Sequence, residues 1–550
     1  MIAFLLLQQL AVAETPTEVW VYTPSPVDRE ILRELPLGFA EGQDGDWVRM
    51  HGTSKGLNAL EDSLLQFEYR PSLMPGDGFL EPNEMVAAIE ELAATYPANS
   101  ELLDLGWSYS GRPIVGLRIY GTDRPQRRVR ILGAHHGDET SSAQVALEAA
   151  RTLLADDSDI IDTILNNTEV WVVPHVNPDG VAQRSRYNDR NVDLNRNYGF
   201  EWDPTEFRPG EHAFSEPESR AIRALASSVS FGAGLSVHAG ATNLGWVWNY
   251  TTDRSPDEDL LSVMADAYGE SCSTPGFWLT NGADWYITNG DTTDWSYGRH
   301  GTLDYTLEVS NTKSPNSDEM EDVLVQHGDA VISWIDWPLW VSGQVVDVET
   351  GLGIPASIHI DEYTPPIQSG PTGLFSRPIN GGPISVEVHA YGYEAQPIEI
   401  DSSGSSVTVA LRPSEIIEGA ITHRLTDSSH QFTLDIEAIE VSLSRPGEAP
   451  FFAEPLSNGW SVPADTQAGV WNLTIDGQPA PHALFVPEAE GFVEINASRV
   501  DTRSVELSGS GFGRGVRVWA FWGDRRNRVP VPVIEQTDTT ILLNAESLPV

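Results

Sequence analysis

The sequence predicts a multidomain chain: a central α/β domain with a mixed central sheet flanked by helices, a small N-terminal α+β unit, and C-terminal all-β sandwich domains. Three observations carry this expectation. The chain has 550 residues, more than one hydrophobic core organises, so three or four domains are expected. Between residues 83 and 334, apolar strand-like runs without polar alternation take turns with amphipathic helical stretches, the pattern of a sheet covered on both faces. Beyond Trp337-Pro338 the helical spacing stops, and short strands separated by turn residues take over.

Taken in order, residues 1–13 join an apolar run to Ala11-Val12-Ala13 and read as a secretory signal. The first Arg is Arg29, so the usual basic segment is missing and the true start is expected further upstream. Residues 14–75 offer strand 19–22, helix 28–35, strand 46–50, helix 57–65 and strand 67–69, a β-α-β-α-β order suited to a small α+β unit. The Pro- and Gly-rich stretch 71–82 is a linker.

The α/β domain is expected over 80–338. Met85, Val86, Ile89, Leu92 and Ala93 recur at helical spacing until Tyr96-Pro97 stops them. Strand-like runs follow at 102–107, 114–120, 129–132, 169–174, 234–238 and 305–310, with helices at 142–154 and 318–334. Residues 340–413 have the turn spacing of a β-sandwich, and 414–550 continue as strands and turns that carry no visible chemistry.

Composition excludes some functions. The formal net charge of −47 repels phosphate backbones, so nucleic acid is not an expected partner. The acids are spread along the chain and form no interaction tail. No later apolar run reaches the roughly 18 residues a spanning helix needs, so no membrane span is expected. With Cys272 as the single cysteine there is no internal disulfide. Together with the leader this suits a secreted or periplasmic, bacterial protein. Nothing in the sequence speaks to oligomeric state.

The chemistry gathers around 131–140, where an apolar run ends in His135-His136-Gly137-Asp138-Glu139. His136 and Glu139 stand three apart, so an imidazole nitrogen and a carboxylate oxygen can reach one cation. Both donors suit Zn²⁺, and a catalytic zinc needs three protein ligands and an open position. Asn177-Pro178-Asp179-Gly180 is turn chemistry by itself. Four arginines fall in residues 184–198 of an acidic chain, and their forks either grip an anionic group or pair with local Asp residues. His238 ends another strand-like run, placed as a third ligand would be. Glu308 is a lone carboxylate inside an apolar strand, where a role as base or ion-pair partner is expected.

In order along the chain, His136-Gly137-Asp138-Glu139, Asn177-Pro178-Asp179-Gly180, Val192-Asp193-Leu194-Asn195-Arg196-Asn197, His238 and Thr306-Leu307-Glu308 resemble the M14 (carboxypeptidase A-like) zinc metallocarboxypeptidases over roughly residues 80 to 340. The resemblance implies one Zn²⁺ held by His136, Glu139 and His238, with Asp193 steadying His136. It implies Glu308 as general base and Arg186 as the group that polarises the scissile carbonyl. Asn195 and Arg196 would grip the terminal carboxylate of a peptide or protein, Tyr286 would close over it, and Thr293 would line the side-chain pocket. Thr293 supplies neither an acid nor an apolar floor; Asp253 is the candidate charge for basic substrates.

The small residue Ala239 beside His238 and Asp138 between the ligands lean toward the regulatory branch. So do Gly373-Leu374-Phe375 and Ala390-Tyr391-Gly392-Tyr393, which look like that branch's transthyretin-like domain; within 414–550, residues 508–513 with 539–543 are faintly Ig/TIG-like. Ahead of such an enzyme, residues 14–75 suit a pro-domain or a packing appendage. Alternatives are a murein-peptide hydrolase of the same family and an inactive carboxypeptidase-like binding protein. His135 pairs only with Asp138 at that spacing and is not expected to bind metal; His175, His359 and His389 are expected to be structural, and Gly509–Gly515 to be turn chemistry.

Overall fold

The computed structural model describes residues 17–44, 46–69, 78–121 and 127–354, most of 356–412, and short strands between 431 and 544. The leader at 1–13, most of the linker and the glycine run at 509–515 lie outside the described residues.

The N-terminal unit runs β1 (Thr17–Tyr22), α1 (Pro26–Arg33), β2 (Gly38–Asp44), β3 (Trp47–Gly52), α2 (Ser54–Glu61) and β4 (Gln66–Glu68). Helix α1 starts where Ser25 and Asp28 form a reciprocal cap ahead of Pro26. The antiparallel sheet has the order β2-β3-β1-β4, and Val19, Val21, Leu32, Met50 and Leu60 are buried in the unit's core. Strand β2 departs from the expected five-element order. Its sequence, Gly-Phe-Ala-Glu-Gly-Gln-Asp, has no apolar alternation, and its strand conformation comes from pairing with β3.

The α/β domain follows as α3 (Pro82–Thr95), β5 (Ser100–Trp107), β6 (Pro113–Ile119), β7 (Arg127–Gly133), α4 (Thr140–Ala155), α5 (Asp159–Asn167), β8 (Thr168–Val173) and α6 (Pro178–Gln183). A 3₁₀ turn (Leu194–Arg196) leads to α7 (Pro217–Ser228), β9 (Ala233–His238), β10 (Thr242–Trp246), α8 (Glu258–Ser271) and β11 (Trp278–Asn281). Then come α9 (Gly282–Trp285), α10 (Thr292–His300), β12 (Leu303–Val309) and α11 (Ser317–Ile335).

The eight-stranded sheet has the order β11-β10-β12-β9-β7-β8-β6-β5. It is mixed: β12, β9, β7 and β8 run parallel, β6 runs against both β8 and β5, and β10 runs against β12 but parallel to β11. Ile131 and Val172 face a core shared with Leu147, Leu261 and Val331; Leu132 and Val173 face another with Ile222, Leu225 and Phe231. Both faces being covered, the central strands bury side chains on both faces instead of alternating.

Two sheets follow, β16-β13-β19 and β15-β14-β17-β18, built from β13 (Trp340–Asp347), β14 (Ser357–His359), β15 (Ile367–Gln368), β16 (Leu374–Pro378), β17 (Ile384–His389), β18 (Gln396–Ile400) and β19 (Val407–Leu411). Their shared core includes Val345, Ile358, Phe375, Val388 and Leu411, as expected of a sandwich. Among the described residues, no helix is long and apolar enough to cross a membrane.

One buried ion pair crosses the middle of the large sheet. Arg130 on β7 pairs with Asp304 on β12, each side chain 1% exposed, although β9 lies between those strands. Gly234 is the register partner of both residues, and a methyl there would meet Asp304 Oδ1 at 2.4 Å. Glycine leaves the gap through which the pair closes. Replacing Asp304 with Leu strands a buried guanidinium and is expected to cost about 3–5 kcal/mol. The check is a lowered urea midpoint; an unchanged midpoint would mean the pair contributes nothing. Gly234→Ala is expected to lower the midpoint as well.

Candidate functional site

Strand β7 delivers the first pair of donors. Beyond Gly133 the chain turns through Ala134, whose φ of 49° is left-handed, and two backbone bonds tie the turn to the segment after β8: Val176 N–H to the Gly133 carbonyl and Asn177 N–H to the Ala134 carbonyl, both 3.0 Å. Asn177 also caps α6, and its amide donates to the His135 carbonyl at 3.1 Å. The Asn-Pro-Asp-Gly motif is therefore a brace for the histidine turn. The brace is tight at Gly137, where an added Cβ would lie 1.9 Å from the Gly180 carbonyl carbon.

Strand β9 ends in His238 and strand β12 carries Glu308 as its register partner. The parallel neighbours β7, β9 and β12 thus bring His136, Glu139, His238 and Glu308 to one edge of the sheet, beyond or near its carboxyl ends. His136, Glu139 and His238 are each at most 1% exposed and form the group of side chains, among the described residues, that can hold a metal ion. His136 Nδ1 lies 2.8 Å from Glu139 Oε1, His238 Nδ1 lies 3.0 Å from Glu139 Oε2, and the two Nδ1 atoms are 3.2 Å apart. A tetrahedral zinc with ligand bonds of about 2.0–2.1 Å has edges of roughly 3.3 Å. The donor set and its spacing therefore fit Zn²⁺.

The outer nitrogens are occupied in the way such a centre requires. His136 Nε2 faces Asp193 Oδ1 at 3.2 Å and His238 Nε2 faces Ser236 Oγ at 3.2 Å, which leaves both Nδ1 lone pairs inward. Asp193 also accepts Arg186 Nε at 2.9 Å and the Asn195 N–H at 3.0 Å. Burial works against ionisation of Asp193, yet Arg186, His136 and Arg196 hold its carboxyl well below the usual range. Burial likewise opposes ionisation of Glu139, and His136, Lys313 and His238 overcome it.

Arg186 Nη1 reaches to 3.1 Å from His136 Nδ1. Asn195 Oδ1 accepts the Thr292 N–H at 3.0 Å, and buried Arg196 donates to the Asn195 carbonyl at 2.8 Å. The other two arginines of the cluster pair outward, Arg184 with Glu81 and Arg190 with Glu211, so the cluster divides between site and surface. Glu308 is 1% exposed, and its Oε2 accepts the Ala241 N–H at 3.2 Å.

Tyr286 follows α9 as its C-terminal cap and is half-buried. Thr293 is buried, with its hydroxyl on Asp291 Oδ1 at 2.7 Å and the Asn249 amide on that hydroxyl at 2.8 Å. Asp253 is exposed; the carboxylates buried beside Thr293 are Asp291 and Asp294. His135 is buried against Tyr198 Oη at 2.9 Å, outside the donor triad. Burial pushes His175 down to about 3, which keeps it neutral and structural.

Two participants were not anticipated from sequence. Lys313 Nζ donates to Glu139 Oε1 at 3.0 Å. The N-terminal unit touches residues beside the site: Phe39 of β2 rests on Tyr286 with ring centroids 3.9 Å apart and meets Trp285 edge-on at 5.7 Å, while His51 Nδ1 is 2.8 Å from Tyr187 Oη. Neither contact has a local signal, since each joins residues far apart in the chain.

Residues 85–327 match the Peptidase_M14 zinc carboxypeptidase family. The α/β domain belongs to this zinc-dependent family. Carboxypeptidase SOL1 of Arabidopsis thaliana is 26% identical over 340 residues, 58% of this chain and 66% of that protein. Human carboxypeptidase D is 27% identical over 420 residues, 61% of this chain and 29% of that protein. The chain thus spans less than two thirds of either relative. A carboxypeptidase A from Helicoverpa armigera superposes with a TM-score of 0.51 at 18% identity, over 59% of this chain and 98% of that one, a likeness of fold.

Two variants test the M14 site's construction. Gly137→Ala forces the histidine turn off α6 and is expected to abolish tight zinc uptake, measured by metal analysis after dialysis. Asp193→Asn is expected to weaken zinc binding about 10- to 100-fold by loosening His136; wild-type affinity in a chelator competition would remove that role from Asp193.

Proposed function

We propose that this chain is an exported zinc carboxypeptidase that hydrolyses the C-terminal peptide bond of peptides or proteins. One observation carries the reading: a single carboxylate, Asp193, orients both His136 of the donor triad and Arg186, while Asn195 and Arg196 follow it directly in the chain. Reaction centre and carboxylate grip are thereby held at a short fixed separation, as an enzyme that acts at chain ends requires.

His136, Glu139 and His238 would hold the zinc, which when bound polarises the scissile carbonyl and lowers the pKa of water. Arg196, with Asn195, receives the terminal carboxylate by charge-assisted hydrogen bonds. Arg186 faces the carbonyl oxygen as negative charge develops there. Glu308 takes a proton from the attacking water and returns it to the leaving nitrogen as the C–N bond breaks. Tyr286 closes over the bound terminus.

The N-terminal unit is assigned to covering the site, because Phe39 lies against the Tyr286 ring and His51 is hydrogen-bonded to Tyr187, the residue after Arg186. Placing a specific protease site within 70–77 and cutting it is expected to raise kcat/KM; complete cleavage without change would make the unit a packing appendage.

Peptides with a free carboxyl end are expected to lose their last residue, and the amidated forms to resist; equal turnover would remove the role of Arg196. Glu308→Gln is expected to retain zinc and to lower kcat by about 10²–10⁴-fold. A wild-type chain that binds zinc and peptides yet turns over none would be a binding protein instead. Secretion is testable by fractionation of the producing cells.

A further inference from the structure

The chain contains two lysines, Lys55 and Lys313, and all its other basic side chains apart from histidine are arginines. Lys313 lies between β12 and α11, and its backbone is clipped to the first turn of α4, immediately after Glu139. The Ser141 N–H and Ser141 Oγ both reach the Lys313 carbonyl at 3.2 Å, and Thr140 Oγ1 lies 2.6 Å from Ser314 Oγ. With the backbone so pinned, the side chain turns back into the protein. It is 9% exposed, and its ammonium lies 3.0 Å from Glu139 Oε1 and 3.4 Å from Asp138 Oδ2.

The surroundings of Glu139 show what this ammonium does. Each carboxylate oxygen has one neighbour within the donor triad and one further donor. Oε1 meets His136 Nδ1 at 2.8 Å and Lys313 Nζ at 3.0 Å; Oε2 meets His238 Nδ1 at 3.0 Å and the Ala239 N–H at 3.1 Å. Rotation of the carboxylate about its last bond would break both added contacts. A lysine suits the place better than an arginine: its charge is a compact point on a thin stem, and the Arg186 guanidinium already stands 3.7 Å from the same oxygen.

We propose that Lys313 is a positioning residue of the metal centre, which with the Ala239 N–H clamps the Glu139 carboxylate in the orientation that completes the triad. This rests on reading His136, Glu139 and His238 as a zinc site.

The test uses the full chain as wild type, Lys313→Met, Lys313→Arg and Lys55→Met. Zinc affinity is measured by competition with a chromogenic chelator, and ligand geometry by the visible absorption of the Co²⁺-substituted protein. Lys313→Met is expected to weaken zinc about 10- to 100-fold and to shift the Co²⁺ bands; Lys55→Met should change neither. Thermal melting of the metal-free proteins checks folding. If Lys313→Met does not fold, Lys313→Arg, which keeps the charge but not the shape, is expected to show the same loss and shift. Wild-type affinity with an unchanged spectrum overturns the proposal, as does tighter zinc binding, which would make the ammonium a competitor of the cation. A wild-type chain that takes up no zinc overturns the zinc-site reading itself.

Discussion

One buried carboxylate holds the functional groups of this protein in register. Asp193 touches His136, Arg186 and the Asn195 backbone, so a donor histidine, a guanidinium and the turn that carries Arg196 share one anchor. Desolvation of such an acid is costly unless cations and N–H groups answer it. Here they do, and each answering group is thereby fixed. The geometry is economical because the cost of burying one charge orients three groups.

The sheet supplies the coarser positioning. Parallel neighbours β7, β9 and β12 bring residues from 136, 238 and 308 to a common edge without any one loop having to span the site. Their order requires small residues at two close approaches. Gly234 lets the Arg130–Asp304 pair pass β9, and Gly137 lets the histidine turn lie on α6. These glycines serve the fold and the site in different ways, one by making room for charge and the other by permitting backbone contact.

Much of this was legible in the sequence. Unalternating strands between amphipathic helices announced a sheet covered on both faces, and His136, Glu139, His238 and Glu308 stood at strand ends or inside strands where a shared edge would gather them. What remained hidden depends on partners distant in the chain. Strand β2 has no period of its own and takes its form from β3. Lys313 looks like any loop lysine until Ser141 and Thr140 are seen to pin its segment. Asp253 had the charge expected of a pocket but lies exposed, whereas Asp291 and Asp294 are buried beside Thr293 by hydrogen bonds to Asn249 and its neighbours. The arginine cluster realises both of the readings that its sequence left open, since Arg186 and Arg196 lie in the site while Arg184 and Arg190 pair with carboxylates outside it.

The stacking of Phe39 on Tyr286 has a thermodynamic side. Any ligand that draws Tyr286 toward itself competes with Phe39 for the same ring, and such competition is reciprocal. Whatever affinity the N-terminal unit takes from a ligand, the ligand takes from the unit's attachment by the same factor. A tight cleft-filling molecule would therefore loosen the first domain of the chain, and amide exchange within β2 and β3 would report the occupancy of a site that neither strand forms.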